Sequence, residues 1–113
     1  MHQDFPIQVT GRHVSVTQPM KDHVTQKLQS IELEFPKIID AQAILEVEKY
    51  RHICEIILTC NSHIKIEAKE ESDDMYASID TCLDKVRRQM RKHKTRVQSH
   101  SSHAKGQEAK TES

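Results

Sequence analysis

The sequence is poor in aromatic residues and in glycine, and each shortage excludes a kind of site. It contains no tryptophan, and its aromatic residues are Phe5, Phe35, Tyr50 and Tyr76. So few rings are not expected to form the stacking platform with which many proteins bind single-stranded nucleic acid. The two glycines are too few for a glycine-rich phosphate loop. No apolar run reaches the length of a membrane span, so no membrane association is expected.

Cysteine and histidine occur without the spacing that metal binding or catalysis requires. The three cysteines, Cys54, Cys60 and Cys82, form no C-x-x-C pair, which favours a reducing, cytoplasmic setting. Each falls on a predicted core position, where a thiol acts as a small buried hydrophobe. The eight histidines are scattered, with no second ligand at metal-binding distance in the sequence. We therefore expect no metal, no cofactor and no enzymatic activity.

Charge is the most unevenly distributed property of the chain. The formal net charge is zero, but residues 1–84 carry 8 Lys and Arg against 15 Asp and Glu, a net charge of −7. Residues 85–96, the basic segment, carry a net charge of +7 and no acid. Such a concentration of cations is typical of a protein that binds a polyanion. The seven cations are Lys85, Arg87, Arg88, Arg91, Lys92, Lys94 and Arg96.

Alternation of apolar and polar residues predicts four β-strands. The predicted strands cover residues 5–10, 41–50, 52–60 and 63–69. Gly11 is expected to end the first of them. The last three strands carry apolar residues on one side and charged residues on the other. This pattern predicts a sheet that is covered by helices on one face only.

Apolar residues at spacings of three and four predict two helices. The first covers residues 18–33, with Thr17 as its N-cap and Phe35, which precedes a proline, at its end. The second begins after a cap at Ser72 or Asp73. Its apolar stripe consists of Met75, Ile79, Cys82, Leu83, Val86 and Met90. The order β-α-β-β-β-α predicts an α+β fold, with both helices on one face of a four-stranded sheet.

The basic segment falls on the C-terminal half of the second helix. Helical geometry places Lys85, Arg88, Lys92 and Arg96 on one flank of the apolar stripe, and Arg87, Arg91 and Lys94 on the other. A solvated helix usually mixes charges of opposite sign, whereas Arg87 and Arg91 form a repulsive i,i+4 pair. We therefore interpret the segment as a phosphate-binding surface, with a solvated face as the alternative. If about five of these cations contact phosphates, the log–log dependence of affinity on salt has a slope of about −4.

Four short motifs carry a resemblance to a known family. They read V-T-G-R-H-V-S-V-T at residues 9–17, V-E-K-Y-R-H-I at 47–53, D-M-Y-A-S-I-D at 74–80 and K-V-R-R-Q-M-R-K-H-K at 85–94. With these motifs the chain resembles the ribosome hibernation-promoting factors, also called ribosome-associated inhibitors or sigma modulation proteins. The last two motifs lie in register on one helix, which makes the resemblance specific. It covers about residues 5–97.

The resemblance implies a fold akin to the double-stranded RNA-binding domain, with an added first strand. It further implies binding to the small ribosomal subunit and its rRNA, in the mRNA and tRNA channel near the decoding centre. There the protein would inhibit translation in stationary phase or stress. The rRNA-contacting cations of the family match Lys85, Arg88, Lys92 and Lys94, and Arg12 matches the T-G-R-H stretch. Charge geometry alone adds Arg87, Arg91 and Arg96.

The domain organisation and the partners leave alternatives open. We expect a ribosome-binding domain at residues 1–97 and a polar, disordered tail at 98–113. In the family, one kind of short member cooperates with a ribosome-dimerising partner protein and another hinders dimers, and this sequence does not decide between them. A monomer is expected off the ribosome. The alternative function is a protein-interaction module that docks its cationic helix on an acidic protein partner.

Overall fold

The computed structural model describes residues 5–35, 38–61 and 64–102, with side chains as far as His93. Within these ranges the chain forms four strands and two helices in the order β-α-β-β-β-α, which confirms the predicted order. The elements are β1 (Ile7–Arg12), α1 (Gln18–Glu34), β2 (Ile38–Glu48), β3 (Arg51–Cys60), β4 (Lys65–Ser72) and α2 (Met75–Ser102).

The strands form one sheet in the order β1-β2-β3-β4. β1 and β2 are parallel, so the chain must cross over between them, and α1 provides this connection. The other neighbouring strands are antiparallel. Residues from α1 and α2 share one buried cluster with the inward side chains of the strands. Both helices therefore cover the same face of the sheet, which confirms the predicted α+β fold.

The core combines the inward side chains of the sheet with the apolar stripes of the helices. Leu45, Ile56 and Leu58, on the two central strands, have no exposed area. Leu28 of α1 and Ile79 of α2 are equally inaccessible. Because both helices bury one side against the same sheet, the directions of their polar sides are set by this packing.

Gly11 does not end β1, contrary to the expectation from the sequence. β1 continues to Arg12, and Gly11 is paired with Leu45 of β2. A Cβ atom at this position would collide with the carbonyl oxygen of Val14 and lie 2.9 Å from Cγ2 of Val16. The loop after β1 therefore folds back so closely onto the strand that only glycine leaves it room.

The two helix caps differ in how well the sequence predicted them. Thr17 caps α1 as predicted, since its hydroxyl oxygen accepts a hydrogen bond of 3.3 Å from the backbone N–H of Met20. The cap of α2 is Asp74 rather than Ser72 or Asp73, because the Asp74 carboxylate accepts a hydrogen bond of 2.9 Å from the N–H of Ala77. Three adjacent residues of cap-forming type made this choice ambiguous.

The second helix is longer than predicted. It has 28 residues and runs to Ser102, so residues 98–102 of the predicted tail have helical backbone. Residues 103–113 lie outside the described part of the chain. The division into a domain at 1–97 and a tail at 98–113 stays a prediction. No described helix combines the length and the apolar content that a membrane span requires.

Candidate nucleic-acid interface

The apolar stripe of α2 determines which sides of the helix face outward. All six residues predicted for this stripe are buried. Near its end, the thiol of Cys60 on β3 lies 3.9 Å from the sulfur of Met90. Rotating the helix would expose the stripe, so the cations at the remaining positions point in defined directions. The described cations of the basic segment occupy two flanks of α2 and a ridge between them.

One flank of α2 faces α1, whose last residue offsets part of its positive charge. Arg87 Nε lies 3.4 Å and Arg91 Nη2 lies 3.5 Å from the two carboxylate oxygens of Glu34. Arg87 Nη2 also donates a hydrogen bond of 3.4 Å to the hydroxyl group of Ser30. Both arginines are therefore engaged by the end of α1.

The opposite flank faces the last strand of the sheet. Lys85 forms an ion pair with Glu70 of β4. One helical turn later, the side-chain amide of Gln89 donates a hydrogen bond of 2.8 Å to the backbone carbonyl of Glu67. Lys85 is half-exposed, with 47% of its side-chain surface accessible. Its ammonium group is therefore paired but still within reach of solvent.

Arg88 and Lys92 form the outward ridge of α2, on the side opposite the core. Both side chains are exposed. They are four residues apart, which places them roughly 6 Å apart along the helix axis. Within the described part of the chain, the ion pairs of the basic segment involve Lys85, Arg87 and Arg91 but neither residue of the ridge. Among the described side chains of the basic segment, Arg88 and Lys92 are thus the cations that are both exposed and free of ion pairs.

The ion pairs with Glu34 change the interpretation of the repulsion between neighbouring cations of α2. The sequence suggested that Arg87 and Arg91 repel one another without compensation. The Glu34 carboxylate lies between them and offsets that repulsion. Only Arg88 and Lys92 remain as a described i,i+4 pair of like charge without such a partner. The side chains of Lys94 and Arg96 lie outside the described residues.

Arg12 is not part of the same surface. It lies at the end of β1, which is one edge strand of the sheet. The flank of the basic segment that begins with Lys85 lies beside β4, the other edge strand. Three strand spacings of about 4.8 Å, or about 14 Å in total, separate the two edges. A ligand that contacts both Arg12 and the outward ridge must therefore reach across the sheet.

The D-M-Y-A-S-I-D motif holds the first half of α2 in place. Asp74 is the cap, and Met75 and Ile79 are core residues. The buried hydroxyl group of Ser78 donates a hydrogen bond of 2.6 Å to the backbone carbonyl of His52 on β3. The ring of Tyr76 meets the ring of His23 of α1 edge to face, with centroids 5.2 Å apart. The motif thus fixes α2 against both the sheet and α1.

The last residue of the motif, Asp80, joins the two helices. Its carboxylate oxygen Oδ1 lies 2.7 Å from Nε2 of His23 and 3.3 Å from Nζ of Lys27, both on α1. Burial raises the pKa of Asp80, but the hydrogen bonds from His23 and Lys27 and their charges outweigh it, so the pKa is lowered. The charged form of Asp80 is therefore favoured by the folded protein.

Replacing Asp80 with asparagine is expected to lower the free energy of unfolding at pH 7 by about 0.5–1 kcal/mol, a value typical of partly exposed ion pairs. Because the folded-state pKa is the lower one, the stabilisation is present above the unfolded pKa of about 3.9 and is lost as the pH falls through the folded pKa. Urea unfolding of Asp80→Asn and the natural protein should therefore differ at pH 7 and converge in acid. Asp22→Asn, which removes a carboxylate that accepts from Gln18 of the same helix, is the control. A difference that is independent of pH would contradict the role of charge.

The three cysteines are buried, and the pKa values of two of their thiols, Cys54 and Cys60, are raised. Cys54, Cys60 and Cys82 are all free and buried, which confirms their prediction as core residues. A hydrogen bond with Cys82, together with burial, raises the pKa of the Cys54 thiol. Burial raises the pKa of Cys60. Since the thiolate is the reactive form, these environments disfavour nucleophilic chemistry.

Sequence reasoning did not foresee the ion pairs that Arg51 forms at the hairpin between β2 and β3. Arg51 donates to both carboxylate oxygens of Glu71, with Nη2 2.6 Å from Oε1, and its Nη1 lies 2.9 Å from Glu48. The hydrogen bond with Glu71 raises the pKa of Arg51, and the same bond lowers the pKa of Glu71. Tyr50 at the tip of the hairpin is almost fully exposed. Arg51 is therefore used to hold the hairpin and adds no available cation.

The family of the chain is decided by a match that spans nearly the whole described domain. The family described as sigma 54 modulation protein / S30EA ribosomal protein matches residues 7–98. The chain belongs to this family. The match includes residues of all six secondary-structure elements and all seven cations of the basic segment.

Curated relatives extend the comparison to individual members of the family. A ribosome hibernation promoting factor from Pseudomonas putida is 42% identical over 93 residues, which cover 82% of this chain and 90% of that protein. A ribosome hibernation promoting factor from Escherichia coli K12 is 36% identical over 94 residues, which cover 83% of this chain and 98% of that protein. The likeness therefore extends over nearly the full length of both relatives.

Solved structures of similar proteins share the fold. A ribosomal subunit interface protein from Coxiella burnetii is 28% identical, with a TM-score of 0.74 over 79% of this chain and 97% of that one. The N-terminal domain of Protein Y from Thermus thermophilus superposes with a TM-score of 0.71, over 76% and 94% of the two chains. At 23% identity the second comparison shows the fold alone.

Proposed function

We propose that this protein is a ribosome hibernation factor that binds the small ribosomal subunit through the outward ridge of α2. The proposal is carried by the position of Arg88 and Lys92, which are exposed on a helix whose opposite side is buried in the core. The curated relatives, which are named ribosome hibernation promoting factors, support the ribosome as the partner.

The ridge suits the recognition of folded rRNA by its phosphates and its shape. Structured RNA is bound largely through backbone contacts, and cations one helical turn apart can contact neighbouring phosphates. A helix held in such a groove, in the mRNA and tRNA channel near the decoding centre, would block that channel and so inhibit translation. No chemical step is needed, so we propose a binding protein without enzymatic activity that acts in the cytoplasm, where ribosomes are.

The other predicted contacts take different parts in this proposal. Lys85 can exchange Glu70 for a phosphate, because its flexible side chain is half-exposed. Lys94 and Arg96 continue the basic segment beyond the ridge. Arg87 and Arg91 stay on the flank next to α1, and Arg12 makes a separate contact at the opposite edge of the sheet, on β1. The net charge of −7 over residues 1–84 would orient the domain so that its cationic end meets the RNA.

The proposal is tested by sedimenting the purified protein with isolated small and large ribosomal subunits at low salt. We expect it to co-sediment with the small subunit as a monomer and to inhibit translation in a purified reaction when added before mRNA. The complex should dissociate when the rRNA is digested with nuclease or when magnesium is removed. No co-sedimentation at low salt would overturn the proposal.

The alternative, a module that docks the cationic helix on an acidic protein, predicts a different result in the same assay. Its complex in a cell extract would survive nuclease and would not depend on magnesium. Gradient profiles of stationary cells with and without residues 98–113 would then show whether ribosome dimers form and whether these residues promote or hinder them.

A further inference from the structure

Two carboxylates border the outward ridge of α2, one on each flank. Glu34, the last residue of α1, contacts both Arg87 and Arg91. Glu70 of β4 pairs with Lys85. The ridge residues Arg88 and Lys92 lie between these two pairs along the exposed side of the helix. Among the five cations of the basic segment whose side chains are described, those without an ion pair therefore form a narrow strip, the outward ridge.

A contribution to folding stability does not by itself explain why Glu34 and Glu70 lie beside the cations of α2. Ion pairs at partly exposed positions contribute little to folding. The Glu34 side chain is 43% exposed, and the Arg91 side chain is 58% exposed. Arg87 differs, because its Nε is buried and makes no hydrogen bond in the described structure, while it lies 3.4 Å from Glu34. Its guanidinium group is thus turned toward α1, and Glu34 is the charge that compensates it there.

The carboxylates change what an approaching polyanion meets. A phosphate at the ridge interacts with Arg88 and Lys92, whereas a phosphate on either flank meets a carboxylate as well as a cation. A general polyanion, such as a flexible strand or a plain duplex, gains affinity when its phosphates contact several sides of a cationic helix. The carboxylates on the two flanks lower the affinity for phosphates that bind there. A pre-formed RNA groove that receives only the ridge is not penalised in the same way. Negative charge beside a binding strip is a recognised means of rejecting wrong partners.

We propose that Glu34 and Glu70 are specificity-determining residues, which lower the affinity of the basic segment for general polyanions and so favour a partner that contacts the outward ridge. This inference rests on the proposed function, because it takes the small ribosomal subunit as the favoured partner. Glu34 has the larger part, because it engages two arginines where Glu70 engages one lysine.

The test compares Glu34→Gln and Glu70→Gln with a matched control, Glu32→Gln. Glu32 lies on the same helix as Glu34, and the described ion pairs of the basic segment do not involve it. The affinity of each variant is measured, over a range of salt concentrations, for a short RNA duplex of arbitrary sequence. Since each cation that contacts a phosphate contributes about 0.9 to the log–log salt slope, Glu34→Gln should steepen the slope by about 1.8 and Glu70→Gln by about 0.9. Glu32→Gln should leave the slope unchanged.

A second set of variants shows whether the effect passes through the arginines. Adding Arg87→Gln and Arg91→Gln to Glu34→Gln should return the slope for duplex RNA to that of the natural protein. The affinity for small subunits should rise less than about twofold in Glu34→Gln, so that the preference for subunits over duplex RNA falls. Equal effects of Glu34→Gln and Glu32→Gln would overturn the inference while leaving the proposed function intact. Failure of the natural protein to bind subunits would instead overturn the proposed function, because the duplex measurements do not depend on it.

Discussion

Replacing Arg88 and Lys92 together with glutamate is expected to lower the affinity for the small ribosomal subunit at least about a hundredfold. A hydrogen bond to a charged group contributes about 1.5–3 kcal/mol, and each 1.4 kcal/mol changes an affinity tenfold. Two such contacts are lost, and two carboxylates are placed against phosphates. Because both side chains are exposed, the fold should be unaffected. Co-sedimentation with subunits over a range of protein concentrations measures the loss.

The control for this variant is Lys21→Glu with Lys65→Glu, which changes the net charge by the same amount. Lys21 on α1 and Lys65 at the start of β4 are exposed and lie outside the basic segment. This control should lower the affinity less than about fivefold, through the long-range field alone. A similar loss in both double variants would show that net charge, and not the outward ridge, decides binding. Undiminished binding of Arg88→Glu with Lys92→Glu would remove α2 from the interface.

Replacing Leu28 with alanine is expected to lower the free energy of unfolding by about 2–4 kcal/mol. Leu28 is completely buried at the contact of α1 with the core, and leucine-to-alanine changes at such sites remove buried surface and leave a cavity. For a domain of this size, 1 kcal/mol corresponds to a shift of roughly 4–8 °C in Tm. Urea unfolding should show a lower midpoint with an unchanged slope.

The same substitution one and a half turns later on α1 provides the comparison. Leu33 is 88% exposed, so Leu33→Ala is expected to change the free energy of unfolding by less than about 0.5 kcal/mol. The same leucine-to-alanine substitution on the same helix is then expected to change the free energy of unfolding by different amounts, because only Leu28 is buried. A large loss in both variants would mean that the exposed residue packs against a surface outside the described residues.

The sequence determined the elements because their signals are local. The apolar stripe from Met75 to Met90 repeats at the period of a helix, and every member is buried. Thr17 stands immediately before the first helical residue and caps it. The residues on the inward sides of the strands, such as Cys54 and Ile56, follow from their alternation. The family motifs added the partner, which periodicity alone cannot provide.

The sequence prediction was wrong where neighbouring residues were equally suited to end or cap an element. Ser72, Asp73 and Asp74 can all cap a helix, and in the structure the carboxylate of Asp74 accepts the hydrogen bond from the first turn. Gly11 is typical of a strand end, but here it lies within β1, because the following loop folds back onto it. Both errors concern the path of the chain through space rather than the type of element.

The composition of the basic segment was determined by the sequence, whereas its availability to a ligand was decided by the tertiary structure. Seven cations without an acid are evident from residues 85–96 alone. That Glu34 and Glu70 form ion pairs with three of them, and so offset two of the three positive charges, follows only when α1 and β4 pack beside α2. The order of the strands places Arg12 on β1, the edge of the sheet opposite β4. Charges act through space, so residues that are distant in sequence decide which cations of a helix remain available.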